Sequence, residues 1–226
     1  MVWLVRAAPA DETLKRGRNA PVEDLFLQRL MPADALRIRG RHNACNALAA
    51  VALASATGCA LGPMLFGLRE YSGEPHRMQS LGVVGAVEYF DDSKGTNVGA
   101  TVAALEGLGQ ERTLLVILGG EGKGQDFLPL AAPLRAYVRA VLLIGRDAAL
   151  IRQALQGAGV LLSDAASMDD AVQQAAALAQ PGDAVLMSPA CASFDMFQDY
   201  AHRAAVFAQA VQSLALAQGQ MLELAP

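Results

Sequence analysis

Apolar residues in this chain fall into short runs separated by polar, glycine-containing turns, and their spacing predicts strands alternating with helices. From residue 78 onward the alternation is regular. The runs 113–118 (TLLVIL), 140–144 (AVLLI), 160–162 (VLL) and 184–187 (AVLM) are apolar at consecutive positions, as parallel strands covered on both faces require. The alternating run 83–90 (VVGAVEYF) predicts a further strand, and 98–105 the helix that follows it. Amphipathic segments near 127–138, 148–156 and 168–179 predict intervening helices, and a long last helix is expected over about 195–217. This order specifies an α/β fold built on a doubly wound, mostly parallel, Rossmann-like sheet. Ligands in such sheets gather at the carboxyl ends of the strands.

Residues 1–75 follow a different pattern. Strand-like pieces at 3–6 and 25–30 flank a charged stretch at 11–18. An Ala- and Leu-rich helix is expected over 43–56, with Asn43 as its N-cap and Gly58 as its stop. A short helix near 64–69 leads into the turn residues 71–75. These elements are too few and too short to close a core. The expected organisation is an incomplete unit over 1–75 and a complete domain over 76–226.

Composition narrows the function classes. The formal net charge is −4, so no basic field advertises nucleic-acid binding. No apolar run reaches the roughly 18 residues of a membrane span, and the first residues lack the pattern of a signal peptide. Cys45, Cys59 and Cys191 show no paired metal spacing. Cys45 and Cys191 lie among alanines and read as small buried hydrophobes. A reducing, cytoplasmic setting follows.

The candidate chemistry lies in loops. Asp91-Asp92-Ser93-Lys94-Gly95-Thr96-Asn97 stands between a predicted strand and a predicted helix. It brings acids, hydroxyls, an ammonium and what is expected to be a free helix N-terminus to one corner suited to an anion. The loop 119–127 (GGEGKGQDF) follows the run 113–118; its glycines allow close backbone approach, and Lys123 supplies a cation. It lacks the spacing of a triphosphate-binding loop, and a carboxylate held by Lys123 fits it better. The loop 188–197 (SPACASFDMF) carries Ser193, which could instead cap the last helix. No histidine among His42, His76 and His202 completes a nucleophilic triad with a serine, and no base serves Cys191. Asn43 and Asn46, three apart, share a helix face and offer carboxamides able to pair with a purine edge, or simply to cap and fill the helix.

Taken together, residues 40–50 (GRHNACNALAA), 73–77 (GEPHR), 92–97 (DSKGTN), 119–127 and 188–197, with Tyr200 and Arg203 beyond, resemble the Mur ligases in order and spacing from about residue 40 to the end. The last two segments favour the branch that adds D-glutamate to UDP-N-acetylmuramoyl-L-alanine. The resemblance implies an ATP- and Mg2+-dependent ligation in peptidoglycan synthesis: the acceptor carboxylate is phosphorylated to an acyl phosphate, which the amine of D-glutamate attacks. It implies that Asn46 meets the adenine with Asn43 nearby, that Arg77 and Asp92 hold the nucleotide, with Asp92 on ribose hydroxyls, and that Lys94 bridges nucleotide and amino acid as the catalytic residue. It further implies that Thr96, Lys123, Ser193 and the Phe194 backbone hold the D-glutamate carboxylates, that Tyr200 walls the pocket, and that residues 73–76 form a hinge.

The family's UDP-binding domain, triphosphate loop and magnesium-holding residues have no counterpart in these 226 residues. The resemblance therefore implies the C-terminal portion of a monomeric bacterial enzyme, without metal ligands of its own and inactive in ligation by itself, with residues 1–75 as a remnant of the central domain. A non-catalytic module for small anions, or a related ligase such as one that adds glutamate to folate, are the alternatives. Gly95 stands where the family has alanine, and a slight loosening of that loop is expected.

Overall fold

The computed structural model describes residues 2–9 and 25–222; the charged stretch at 11–18 lies outside the described residues. The chain divides into two compact units, Met1–Arg39 with Asn43–Ser72 and Gly40–His42 with Gly73–Pro226. In the first, β1 (Trp3–Pro9) and β2 (Leu25–Pro32) pair antiparallel, and α1 (Arg41–Ala56) and α2 (Leu61–Glu70) follow. Its core is small, built on Leu4, Met31, Leu36 and Ala47. Leu25, Phe26 and Leu27 of β2 stay exposed. Two expectations are corrected here. Helix α1 begins at Arg41 rather than after an Asn43 cap, and the Asn43 carboxamide donates back to the Arg39 carbonyl at 2.7 Å. Cys45 is exposed rather than buried.

The second unit is a six-stranded sheet in the order β3-β4-β8-β5-β6-β7. Its strands are β3 (Gln79–Val84), β4 (Val87–Asp91), β5 (Leu114–Gly119), β6 (Val138–Ile144), β7 (Leu161–Asp164) and β8 (Ala184–Met187). Only β3 runs antiparallel, against β4; the other neighbours pair in parallel. The single strand expected over 83–90 is in fact a hairpin. Gly85 and Ala86, with φ of 58° and 62°, make a two-residue turn of the kind that matches strand twist. Alanine rarely takes that conformation, so the alternation of side chains concealed the turn.

Strand residues alternate between two cores because successive side chains point to opposite faces. Leu114, Val116 and Leu118 of β5 join α3 (Val98–Leu108), α4 (Ala131–Tyr137) and α5 (Ala148–Leu155) on one face. Leu115 and Ile117 join α6 (Met168–Leu178) and α7 (Tyr200–Ala217) on the other. Helix α7 starts at Tyr200, not near 195; its cap is Asp199, whose side chain accepts from the His202 N–H at 2.7 Å. Ser193 is therefore not a helix cap.

The topology creates one distinctive place. The chain passes from β4 through α3 to β5, moves outward to β6 and β7, then returns to insert β8 between β4 and β5. The carboxyl ends of β4, β8 and β5 thus lie side by side at a reversal of strand order, where open α/β sheets form crevices.

Candidate functional site

Three loops leave those ends: 92–97 after β4, 120–127 after β5 and 188–199 after β8. Backbone hydrogen bonds lace them together. The Ala190 N–H donates to the Gly95 carbonyl at 3.0 Å, and Glu121 and Ala192 exchange two bonds of 2.9 Å. The contact is close enough that a Cβ on Gly120 would lie 2.2 Å from the Ala192 carbonyl oxygen, and Gly120 holds φ at +126°. Arg203 of α7, wholly buried, reaches into the lacing from below. Its guanidinium donates to the Ser93 carbonyl at 2.8 Å and the Cys191 carbonyl at 3.0 Å. Burial lowers its pKa to about 10, with Cys191, Asp195, Asp91 and Asp92 opposing that fall.

Most polar groups around the loops are already satisfied. Asp91, at the end of β4, accepts from the Ser93 N–H at 2.9 Å and pairs with His76 Nδ1 at 2.8 Å. The His76 ring meets Tyr200 edge-on, with centroids 5.9 Å apart. Asp92 is 7% exposed, and its two oxygens accept from the Met78 N–H at 3.2 Å and the Ser188 hydroxyl at 2.7 Å. Burial pushes its carboxyl up to about 6; the bonds from Ser188 and Met78 oppose the rise, Asp91 adds to it and Arg77 opposes it. The α3 N-terminus is only partly free, with two of its first three N–H groups taken. The Val98 N–H donates to Gln125 at 2.8 Å and the Ala100 N–H to Asn97 at 2.9 Å.

Four groups stand apart. The Lys94 ammonium lies 3.9 Å from the centre of the Tyr200 ring, and that of Lys123 lies 5.9 Å from the centre of the Phe194 ring. Neither makes an ion pair or hydrogen bond among the described residues, and the same holds for the hydroxyls of Thr96 and Ser193. Two cations and two hydroxyls on adjacent loops, with rings beside the cations, suit a small dianion.

The family model for the Mur ligase glutamate ligase domain matches residues 76–191, more than half of the chain and the whole of this loop cluster up to Cys191. The chain belongs to the Mur ligase family. It is 70% identical over 222 residues to the UDP-N-acetylmuramoylalanine–D-glutamate ligase of Polaromonas sp., covering 98% of this chain and 38% of that protein. With the enzyme of the same name from Albidiferax ferrireducens it shares 69% over 223 residues, 99% of this chain and 44% of the relative. The chain thus spans about two fifths of the length of the curated relatives it matches. Among solved structures, the UDP-N-acetylmuramate–alanine ligase of Thermotoga maritima superposes with a TM-score of 0.57 at 20% identity, covering 84% of this chain and 40% of that one. A murein peptide ligase from Psychrobacter arcticus covers 97% of this chain with a TM-score of 0.53 at 18% identity. At those identities the likeness is one of fold, the Mur ligase α/β architecture.

Against that family frame, the expected site residues divide into groups. Lys94, Thr96, Lys123, Ser193, Phe194 and Tyr200 come from the three adjoining loops and the first residue of α7. Arg77 is exposed on the segment just before β3. Asp92, expected on ribose hydroxyls, instead turns inward onto Met78 and Ser188. Asn43 and Asn46 belong to the other unit, where Asn46 donates to the Asn43 carboxamide oxygen at 3.3 Å. At Gly95, where a slight loosening is expected, the space for a side chain is small. A Cβ there would lie 2.6 Å from Asp92 Oδ2 and 2.8 Å from the Ser188 hydroxyl, so the glycine makes room for a tight pair. Sequence reasoning placed His76 in a hinge but missed the pairing of its side chain, because its partner Asp91 comes from 15 residues away across the hairpin. The histidine within the segment 73–77 was the available signal. Burial raises the Cys191 thiol to about 12, in keeping with the exclusion of a cysteine nucleophile.

Proposed function

We propose that this chain supplies the amino-acid side of an ATP-dependent ligase that joins D-glutamate to UDP-N-acetylmuramoyl-L-alanine in a bacterial cytoplasm. The observation that carries the reading is the set of four unengaged groups, Lys94, Thr96, Lys123 and Ser193, on loops whose other polar groups are largely satisfied. In this reading Lys123 and Ser193 take one carboxylate of D-glutamate, Thr96 takes part in holding the other, and Lys94 lies between the amino acid and the nucleotide. Tyr200 and Phe194 flank the two ammonium groups, which stay exposed and open to a guest. Holding the guest by both carboxylates fixes the direction of its amine, and that orientation is the main help this half of the enzyme gives to the reaction.

Bound ATP with Mg2+ would supply the phosphoryl group that activates the acceptor carboxylate. Of the residues that the family resemblance assigns to the nucleotide, Arg77 is exposed and fits an anionic or hydroxyl-bearing partner. Asn43 and Asn46 fit a purine edge by their carboxamides. Asp92 does not fit ribose, since its carboxylate is buried and both oxygens are engaged. The proposed domain roles are 1–75 as part of the nucleotide-binding region and 76–226 as the amino-acid-binding domain.

Calorimetry with D- and L-glutamate tests the reading on this chain directly. Binding of D-glutamate, with L-glutamate weaker by about tenfold or more, is the expected outcome. Equal affinity for the two enantiomers, or none for either, would count against it.

A further inference from the structure

Gln125 is half-buried on the loop after β5, two residues beyond Lys123. Its carboxamide makes three hydrogen bonds. Its oxygen accepts from the Val98 N–H at 2.8 Å, at the start of α3. Its nitrogen donates to the Gly122 carbonyl in its own loop and to the Ala190 carbonyl in the loop after β8, both at 2.9 Å. One side chain therefore bonds the segment that follows Lys94 and Thr96, the segment that carries Lys123 and the segment that carries Ser193. Arg203 bonds Ser93, just ahead of Lys94, and Cys191 in the loop after β8, but does not reach the loop of Lys123. The task needs one acceptor and two donors on a single planar group, which a carboxamide offers and a carboxylate or ammonium does not.

We propose that Gln125 is a positioning residue that locks the three loops into one register and so sets the spacing of Lys94, Lys123 and Ser193. The same bond occupies the Val98 N–H, while Asn97 occupies that of Ala100, so two of the first three N–H groups of α3 are taken and charge neutralisation of a guest falls mainly to the two lysines. The binding arm of the test rests on the reading of the site as a receptor for D-glutamate; the exchange arm does not.

The experiment compares the wild-type chain with Gln125→Ala and Gln125→Glu by amide hydrogen exchange and by calorimetry with D-glutamate. Gln125→Glu keeps an acceptor for Val98 but sets a carboxylate against the two carbonyls. Amides in 95–98, 120–124 and 188–192 should all exchange faster in both variants, by about tenfold, the size expected for the net loss of one or two hydrogen bonds. Amides of β6 should be unchanged. The dissociation constant for D-glutamate should rise by about the same factor. Lowering the pH toward 5 should partly restore Gln125→Glu, which then regains a donor, and leave Gln125→Ala unrestored. Faster exchange confined to 120–124, or absent altogether, overturns the lock. Loosening of all three loops with unchanged affinity overturns the positioning role. If the wild-type chain binds no D-glutamate, the functional reading fails while the exchange arm still decides the lock. If Gln125→Ala loses the whole fold, the β6 amides report it and Gln125→Glu decides.

Discussion

Strands β2 and β5 are both rich in leucine, yet β5 is buried at every position from Leu114 to Gly119 while β2 is exposed from residue 25 to residue 29. The difference lies in their neighbours. β5 is bonded on both edges, by β8 and β6, and helices cover both of its faces. Among the described residues β2 pairs only with β1, and its unit has a small core. An apolar run is enough to make a strand; the number of layers around it decides whether its side chains contribute to stability. The same rule explains why the candidate site sits where it does. The three loops grow from buried strands bonded on both edges, so their side chains can be held in register.

Matched truncations in the two strands break or uphold this contrast most strongly. Leu118→Ala, at a fully buried position, should destabilise the second unit by about 3–4 kcal/mol through lost burial and the cavity left behind. Urea denaturation followed by far-UV circular dichroism measures it, and a loss below about 1 kcal/mol would mean that the sheet core relaxes around the gap.

Next in size is a pH effect at the end of β4. The carboxyl of Asp92 rises from an ordinary 3.8 to about 6 in the fold. Between those values the folded state binds more protons than the unfolded state, so stability falls as pH rises from about 4 to 6. The contribution is full below the unfolded pKa and gone above the folded one. The difference should be on the order of 2–3 kcal/mol, and Asp92→Asn should abolish it. Denaturation curves at several pH values in both proteins decide the point; an identical pH profile in the variant would contradict the assignment to Asp92.

Gly95→Ala sharpens the contrast within the loops themselves. Its Cβ would collide with the Asp92–Ser188 pair, and a cost of about 1–2 kcal/mol is expected. A thermal melt checks this, and an unchanged midpoint would mean that the pair has room to shift. The smallest effect belongs to β2: Leu27→Ala, at a position 63% exposed, should change stability by no more than about 0.5 kcal/mol in the same urea assay. A larger loss would show that the first unit depends on that residue despite its exposure.

How much of this was readable in the sequence follows from the same physics. β5, β6 and β8 were plain because strands apolar on both faces admit few other arrangements. The β3–β4 hairpin was hidden, since the turn at Gly85 and Ala86 uses a left-handed alanine that the alternating pattern runs straight through. Lys94, Lys123 and Ser193 were visible as unusual polar residues at strand ends. Their supports were not. His76 with Asp91, Gln125 with Val98 and Ala190 and Arg203 with two carbonyls are pairings between distant segments, and a glutamine or an arginine carries no local mark of such a task. The inward turn of Asp92 was equally invisible, because it depends on Ser188 arriving from 96 residues away.

The most direct test of a shared guest is a titration of the 15N-labelled chain with D-glutamate, followed by the backbone amide resonances of the three loops. Resonances of Lys94, Lys123 and Ser193 should shift together along one binding curve with one dissociation constant. Shifts confined to a single loop, or separate constants for the three, would contradict the account.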